Sequence, residues 1–126
     1  MKIDVDYLKT ILDKFVESET QYIETSIFNE LLEDENFLFH WDILLDKNVI
    51  VDSQGKLGKF YEITQDNCKN NWDIKVRLND DGYSFYQALK DEEFRNKIKN
   101  GLTDVSIDTL LSLGKKYIDK KVDTLF

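Results

Sequence analysis

The chain has no proline, one cysteine (Cys68), one histidine (His40) and five glycines among its 126 residues. With Cys68 alone no internal disulfide can form, which excludes a disulfide-stapled secreted scaffold. A single His40 excludes a histidine-rich metal site and a two-histidine proton relay. No run of about 18 apolar residues occurs, so a membrane-spanning helix is not expected. The opening residues are not a basic-then-apolar leader, and the expectation is a soluble, cytoplasmic protein with no membrane partner. No glycine- or serine-rich stretch reads as a flexible linker, and no period recurs along the chain. Positive charge is also short: 17 Lys and Arg face 25 Asp and Glu, a formal net charge of −8. That balance disfavours DNA and anionic membranes as partners.

The negative charge is unevenly spread. Residues 1–48 contain four lysines and twelve acids, whereas 49–78 carry a net +1 and 79–126 a net −1. The apolar pattern is clear at the start: Val5, Leu8, Ile11, Leu12 and Phe15 recur at helical spacing behind a capping Asp4. A short extended piece at 21–24 follows, then a helical run at 26–32, an acidic turn at 33–35 and a helix over 36–47. Asn48 fits the left-handed residue that stops a helix. Beyond it the period shortens to that of strands. Residues 49–51 read as a strand, 52–55 as a turn and 57–64 as a returning strand. Residues 65–72 read as a polar loop, and Ile74, Val76 and Leu78 alternate with Lys75 and Arg77 as a half-exposed strand. Helices resume near Asp80, break at Asp91-Glu92-Glu93 and end in a last helix over about 105–122, which Asp104 or Ser106 can cap.

That order of elements predicts an α+β protein: a winged helix-turn-helix core over 1–79 with a helical C-terminal extension over 80–126, together one compact unit. Several segments also resemble a known family. Met1-Lys2-Ile3-Asp4 with Leu8, Ile11 and Leu12 looks like its opening helix. The segment from Phe39-His40-Trp41 through Asn48-Val49-Ile50 resembles its Tyr-His-Leu and aliphatic run. Arg77-Leu78-Asn79-Asp80-Asp81-Gly82-Tyr83-Ser84-Phe85 looks like its Arg-Leu-Thr-x-x-Gly-His-x-Phe signature, and Asp91 with Asn96-Lys97 fits the stretch after it. The family is the domain of unknown function numbered 2513, short winged-helix-like proteins of phages and prophages. The resemblance covers most of the chain outside 53–73. It implies the same fold and a phage or prophage setting, and no chemistry.

In winged helices that read DNA, the third helix turns basic and amide side chains toward the major groove. Here, with Trp41, Leu44, Leu45 and Asn48 taken as inward, the outward side of 36–47 holds Asn36, Phe39, Ile43 and Asp46, flanked by His40 and Lys47. Three readings follow. In the first, Phe39 and Ile43 are apolar anchors ringed by Asp34, Glu35, Asp42 and Asp46, a face for a host or phage protein. In the second, the C-terminal helix covers Phe39 and Ile43 as ordinary core. In the third, Asn36, His40, Lys47, Lys56 and Lys59 contact DNA, a regulator's arrangement that the charge balance opposes. The 49–78 wing interleaves Lys56, Lys59 and Lys69 with Phe60, Tyr61 and Trp72, which could hold a single strand by stacking and charge. The same aromatic residues in a hairpin ordinarily pack across strands.

Catalytic patterns are not met. Gly55-Lys56-Leu57-Gly58 lacks the spacing and ending of a phosphate loop, and Leu111-Ser112-Leu113-Gly114 lacks the first glycine of a nucleophile elbow. The pairs Asp80-Asp81 and Glu92-Glu93 sit where helices begin, which the helix dipole favours without any acid–base role. Cys68, beside Lys69, has no general base and reads as an incidental thiol. The last helix carries a broad apolar stripe of Ile107, Leu111, Gly114, Ile118 and Val122, widened by Leu110, Leu113 and Tyr117. It serves either packing against the core or a homodimer through 105–122, the latter by analogy with other winged helices. The expectation is therefore a non-enzymatic accessory protein with no cofactor and no metal. It acts through protein contacts, in one version as an acidic inhibitor of a host nucleic-acid-handling or defence protein. The alternative is a DNA-binding transcriptional regulator.

Overall fold

A computed structural model describes residues 1–102 and 104–126 and shows a mixed α+β architecture. The order is α1 (Val5–Val16), β1 (Ile23–Glu24), a 3₁₀ segment (Thr25–Leu31), α2 (Glu35–Asp46), β2 (Ile50–Asp52), β3 (Tyr61–Ile63), β4 (Lys69–Asn71), β5 (Lys75–Leu78), α3 (Asp80–Leu89), α4 (Glu92–Gly101) and α5 (Ile107–Leu125). Among the described residues no helix is long and apolar enough to cross a membrane.

The helix starts follow from local chemistry. Asp4, Asp34, Asn79, Asp91 and Ser106 each turn a side-chain oxygen onto a backbone N–H of the first turn. Asp80, Asp81, Glu92 and Glu93 fall in first turns, where their charge meets the positive end of the helix dipole. Asn48 takes the left-handed backbone at φ 55° and closes α2 as the sequence suggests.

Three strands form an antiparallel sheet in the order β1–β5–β2, with Ile23 opposite Val76 and Ile50 opposite Leu78. A separate hairpin pairs β3 with β4, Tyr61 facing Asn71. The turn after β2 is built by Asp52, whose Oδ1 accepts from the backbone N–H groups of Gln54 (2.8 Å) and Lys56 (2.9 Å). The helical run expected at 26–32 is a 3₁₀ segment, Thr25–Leu31, and one expectation fails locally: the polar stretch at 65–72, read as a loop, contains strand β4.

Trp41 is the centre of the N-terminal core. It packs against the rings of Phe15, Phe28, Phe37 and Phe60, and its indole N–H donates to the Gly58 carbonyl at 3.2 Å. A Cβ at Gly58 would lie 2.7 Å from Ile50 Cγ2, so any other residue there would force the buried Ile50 side chain to shift. The C-terminal helices close the other side. Gly114 of α5 lies on Ala88 of α3 so closely that a Cβ would come within 3.1 Å of the alanine methyl. Ile107, Leu110 and Gly114 are buried, and Leu111, Leu113, Tyr117 and Ile118 are half-buried against the same core. The stripe offered for a homodimer through 105–122 is thus largely spent within the molecule. Of its members Val122 stays exposed, as do Leu125 and Phe126 beyond it.

Candidate functional site

At about 100° per residue, α2 divides cleanly. Its inward arc carries Phe37, Leu38, His40, Trp41, Leu44 and Leu45, all buried. Its outward arc, about 100° wide by the same geometry, carries Glu35, Phe39, Asp42, Ile43 and Asp46. The three acids are exposed and the two apolar side chains half-buried. Ile43 packs at the margin of the core, and Phe39 sets its ring edge-on to His40 with centroids 5.1 Å apart. These two are therefore neither sealed into the core nor free. They are low apolar ground between carboxylates.

Each acid is placed by a nameable contact or position. Asp34 caps α2, accepting from the Asn36 N–H at 2.9 Å, and stays exposed. Glu35 occupies the first turn, beside the positive end of the dipole. The Tyr61 hydroxyl donates to Asp42 Oδ1 and so fixes the direction of that carboxylate. Burial first, then the hydrogen bond to Asp42 and its charge, push the Tyr61 phenol far above its usual range, so it remains a donor at every physiological pH. Asp46 is exposed at the end of the stripe. Just before the helix, Glu33 pairs with Lys69 of β4 at 3.2 Å, and Asn71 bonds Asn29 at 3.3 Å. The hairpin is thereby tied to the approach to α2.

The residues offered as DNA contacts fare differently. His40 is not a flank residue but wholly buried. Its Nε2 accepts from the Asp4 backbone N–H at 2.9 Å, and its Nδ1 lies 2.7 Å from the Asn36 carbonyl. That pattern fixes the neutral tautomer with the proton on Nδ1, donating to Asn36. The ring joins the start of α1 to α2, with Tyr7 stacked at a tilt 4.9 Å away, and no base edge can reach it. The correction has a simple cause: His40 lies at the border of the two arcs, and the N-terminus of α1 happens to cover that border. Lys47 is half-buried and paired with Asp108 at 2.6 Å. Asn36 is half-buried. Lys56 and Lys59 are exposed. The wing's aromatic platform is also dismantled, because Phe60 and Tyr61 are buried and only Trp72 is open, at 43% exposure.

The hairpin residue that orients a site carboxylate, Tyr61, was not legible beforehand, since its distance to Asp42 depends on how β3 folds back over α2. Cys68 is exposed, with its thiol 3.4 Å from Asp66 Oδ2 and no histidine beside it. Among the described residues, no group of three His, Cys, Asp or Glu side chains is gathered as a metal site. Comparison with protein-family models, with curated proteins and with solved structures found no match to this chain.

Proposed function

We propose that this chain is a non-enzymatic phage or prophage accessory protein that binds another protein through the outward stripe of α2. In this reading the stripe is an imitation of a nucleic-acid strand. Glu35, Asp42 and Asp46, with Asp34 at the cap, stand in for phosphates toward a cationic groove, and Phe39 and Ile43 supply apolar contact. The natural partner is a host nucleic-acid-handling or defence protein inside the cell.

The observation that carries the proposal is the outward arc itself: three carboxylates, two half-buried apolar groups and no cation. Such a surface repels a phosphate backbone and attracts a surface built to hold one. The element order through β5, with the strand order β1–β5–β2 and a hairpin between β2 and β5, supports a winged helix-turn-helix assignment for 1–79. In that assignment α2 occupies the place of the groove-reading helix, which suits the imitation. The burial of His40 and the pairing of Lys47 count against the regulator alternative.

Immobilised protein should retain a nucleic-acid-binding protein from host extract. Free duplex DNA should compete for that capture, and Asp42→Lys with Asp46→Lys should abolish it. If the chain instead binds labelled duplex directly, and Lys56→Glu with Lys59→Glu abolishes that binding, the regulator reading replaces this one.

A further inference from the structure

A groove of about 510 Å³ runs between α4 and α5. Its floor is apolar, made by Phe94, Ile98 and Leu102 from one side and Leu113 and Tyr117 from the other. Its rim carries four lysines, Lys97, Lys116, Lys120 and Lys121, and one acid, Glu93. Two of these charges are already used: Lys97 pairs with Glu93 at 3.3 Å and Lys121 with Asp91 at 2.5 Å. Lys116 and Lys120, one helical turn apart on α5, have no acidic partner within ion-pair distance among the described residues. The groove is open along its length, and Leu102 on its floor is 41% exposed. Sites for small ligands enclose most of their occupant, whereas an open trough between two helices suits the face of a third.

The complementary face is present on the same chain. The α2 stripe alternates Glu35, Phe39, Asp42, Ile43 and Asp46, acid and apolar in turn. The groove offers lysine and apolar floor in turn. Within one molecule the two cannot meet. Leu113, Tyr117 and Lys120 put the groove on the α4 flank of α5. Leu111 and Lys115 on the opposite flank line a separate cleft with Lys47 and Val49, at the end of α2. We propose that the occupant is a second copy: the α2 stripe of one molecule lies in the α4–α5 groove of the next, with Asp42 and Asp46 meeting Lys116 and Lys120 and with Phe39 and Ile43 on the apolar floor. The contact is head-to-tail, so a pair of copies keeps one free stripe and one free groove and further copies can add. It closes the bound α2 stripe to any foreign protein. The inference rests on the reading of α2 as a protein-docking face, but not on which foreign partner that face takes.

Sedimentation velocity tests it. Wild-type protein at about 0.1 M salt should show a mass that rises with concentration, and about 1 M salt should suppress the rise. Lys116→Gln/Lys120→Gln removes the groove charge and Asp42→Asn/Asp46→Asn removes the stripe charge. All four side chains are exposed, and Asp42→Asn keeps an oxygen that can accept from the Tyr61 hydroxyl, so both variants should keep the wild-type circular dichroism, and each alone should sediment as a monomer. Mixed, the two variants should form a dimer and nothing larger, because the mixture contains one intact stripe and one intact groove per pair. A wild-type protein that stays monomeric up to about 1 mM, a stripe variant that still self-associates, or a mixture that stays monomeric would each overturn the proposal. Capture of a foreign protein by a monomeric wild type would sink this inference and leave the proposed function standing. Self-association without DNA-competed capture would do the reverse.

Discussion

Asp91 is one carboxylate with several tasks. It caps α4 by accepting from the Phe94 N–H at 3.2 Å, receives the Tyr117 hydroxyl at 3.1 Å, and holds Lys121 of α5 at 2.5 Å. The Lys121 hydrogen bond is the largest influence on it, and with the Phe94 and Tyr117 donors it outweighs burial, bringing the carboxyl down to about 2 from an ordinary 3.8. A carboxyl whose pKa is depressed by folding stabilises the fold above its unfolded value, and that stabilisation is lost as pH falls from 3.8 toward 2. Asp91→Asn keeps the capping oxygen and removes the charge. Its melting temperature should therefore lie below wild type at neutral pH, and the gap should shrink as pH falls below 4; a gap independent of pH would disprove the linkage. Asp6 is lowered as well, chiefly by Lys99, so the wild type keeps part of its acid sensitivity when Asp91 is replaced. At this scale the sequence is readable where a residue answers to its own neighbours. The capping role of Asp4 and the left-handed Asn48 are of that kind. It is opaque where a distant segment decides. Nothing local says that the Asp4 N–H, 36 positions away, will claim the His40 ring.

Among the elements, periodicity carried the long helices and failed on the short polar pieces. Helix α1 buries the five apolar residues that its spacing nominates. Strand β4 buries none of its three residues, Lys69, Asn70 and Asn71, and exists because its backbone pairs with β3. A strand held by backbone pairing and polar side-chain contacts, with no buried face, leaves no alternation to read. Element junctions add a second hidden layer, the close approach of backbones. Gly82, in the first turn of α3, sits where a Cβ would lie 2.8 Å from the Val49 carbonyl and 3.1 Å from Leu78 Cβ. Gly101, at the end of α4, has nothing within 4 Å of the same position. The two glycines therefore predict opposite signs. Gly82→Ala should destabilise by about 1–3 kcal/mol, because a backbone carbonyl cannot swing aside as a side chain does. Gly101→Ala should stabilise by up to about 1 kcal/mol, since it gains helix propensity without a clash. Urea titrations of both variants against wild type measure the two differences directly. Equal effects would mean that helix propensity, and not the approach of α3 to β2, governs the position of Gly82.

At the scale of the whole molecule, the expected division into a core over 1–79 and an extension over 80–126 meets a web of contacts across residue 80. The apolar face of α1 is completed from the C-terminal side. The Tyr86 hydroxyl donates to Asp13 at 2.6 Å, and Asp6 takes Arg95 at 2.9 Å and Lys99 at 2.8 Å. The Asp13 carboxylate in turn lifts the Tyr86 phenol, after burial, to about 12. Helix α5 then seals α3 through the contact of Gly114 on Ala88. Cutting at residue 79 would expose the α1 surface that α3 and α4 cover, and a chain this short has no second core to compensate. The 1–79 fragment should accordingly show no cooperative urea transition, while the full chain unfolds in one step. In a Trp72→Phe variant, the buried Trp41 reports on the N-terminal core, and far-UV circular dichroism is weighted toward α3, α4 and α5. The two probes should give the same midpoint in the full chain. Separate midpoints, or a fragment that melts cooperatively on its own, would show instead that the helical extension is an appendage. The α2 stripe would then be carried by an autonomous small domain rather than by a platform whose rigidity depends on helices α3 to α5.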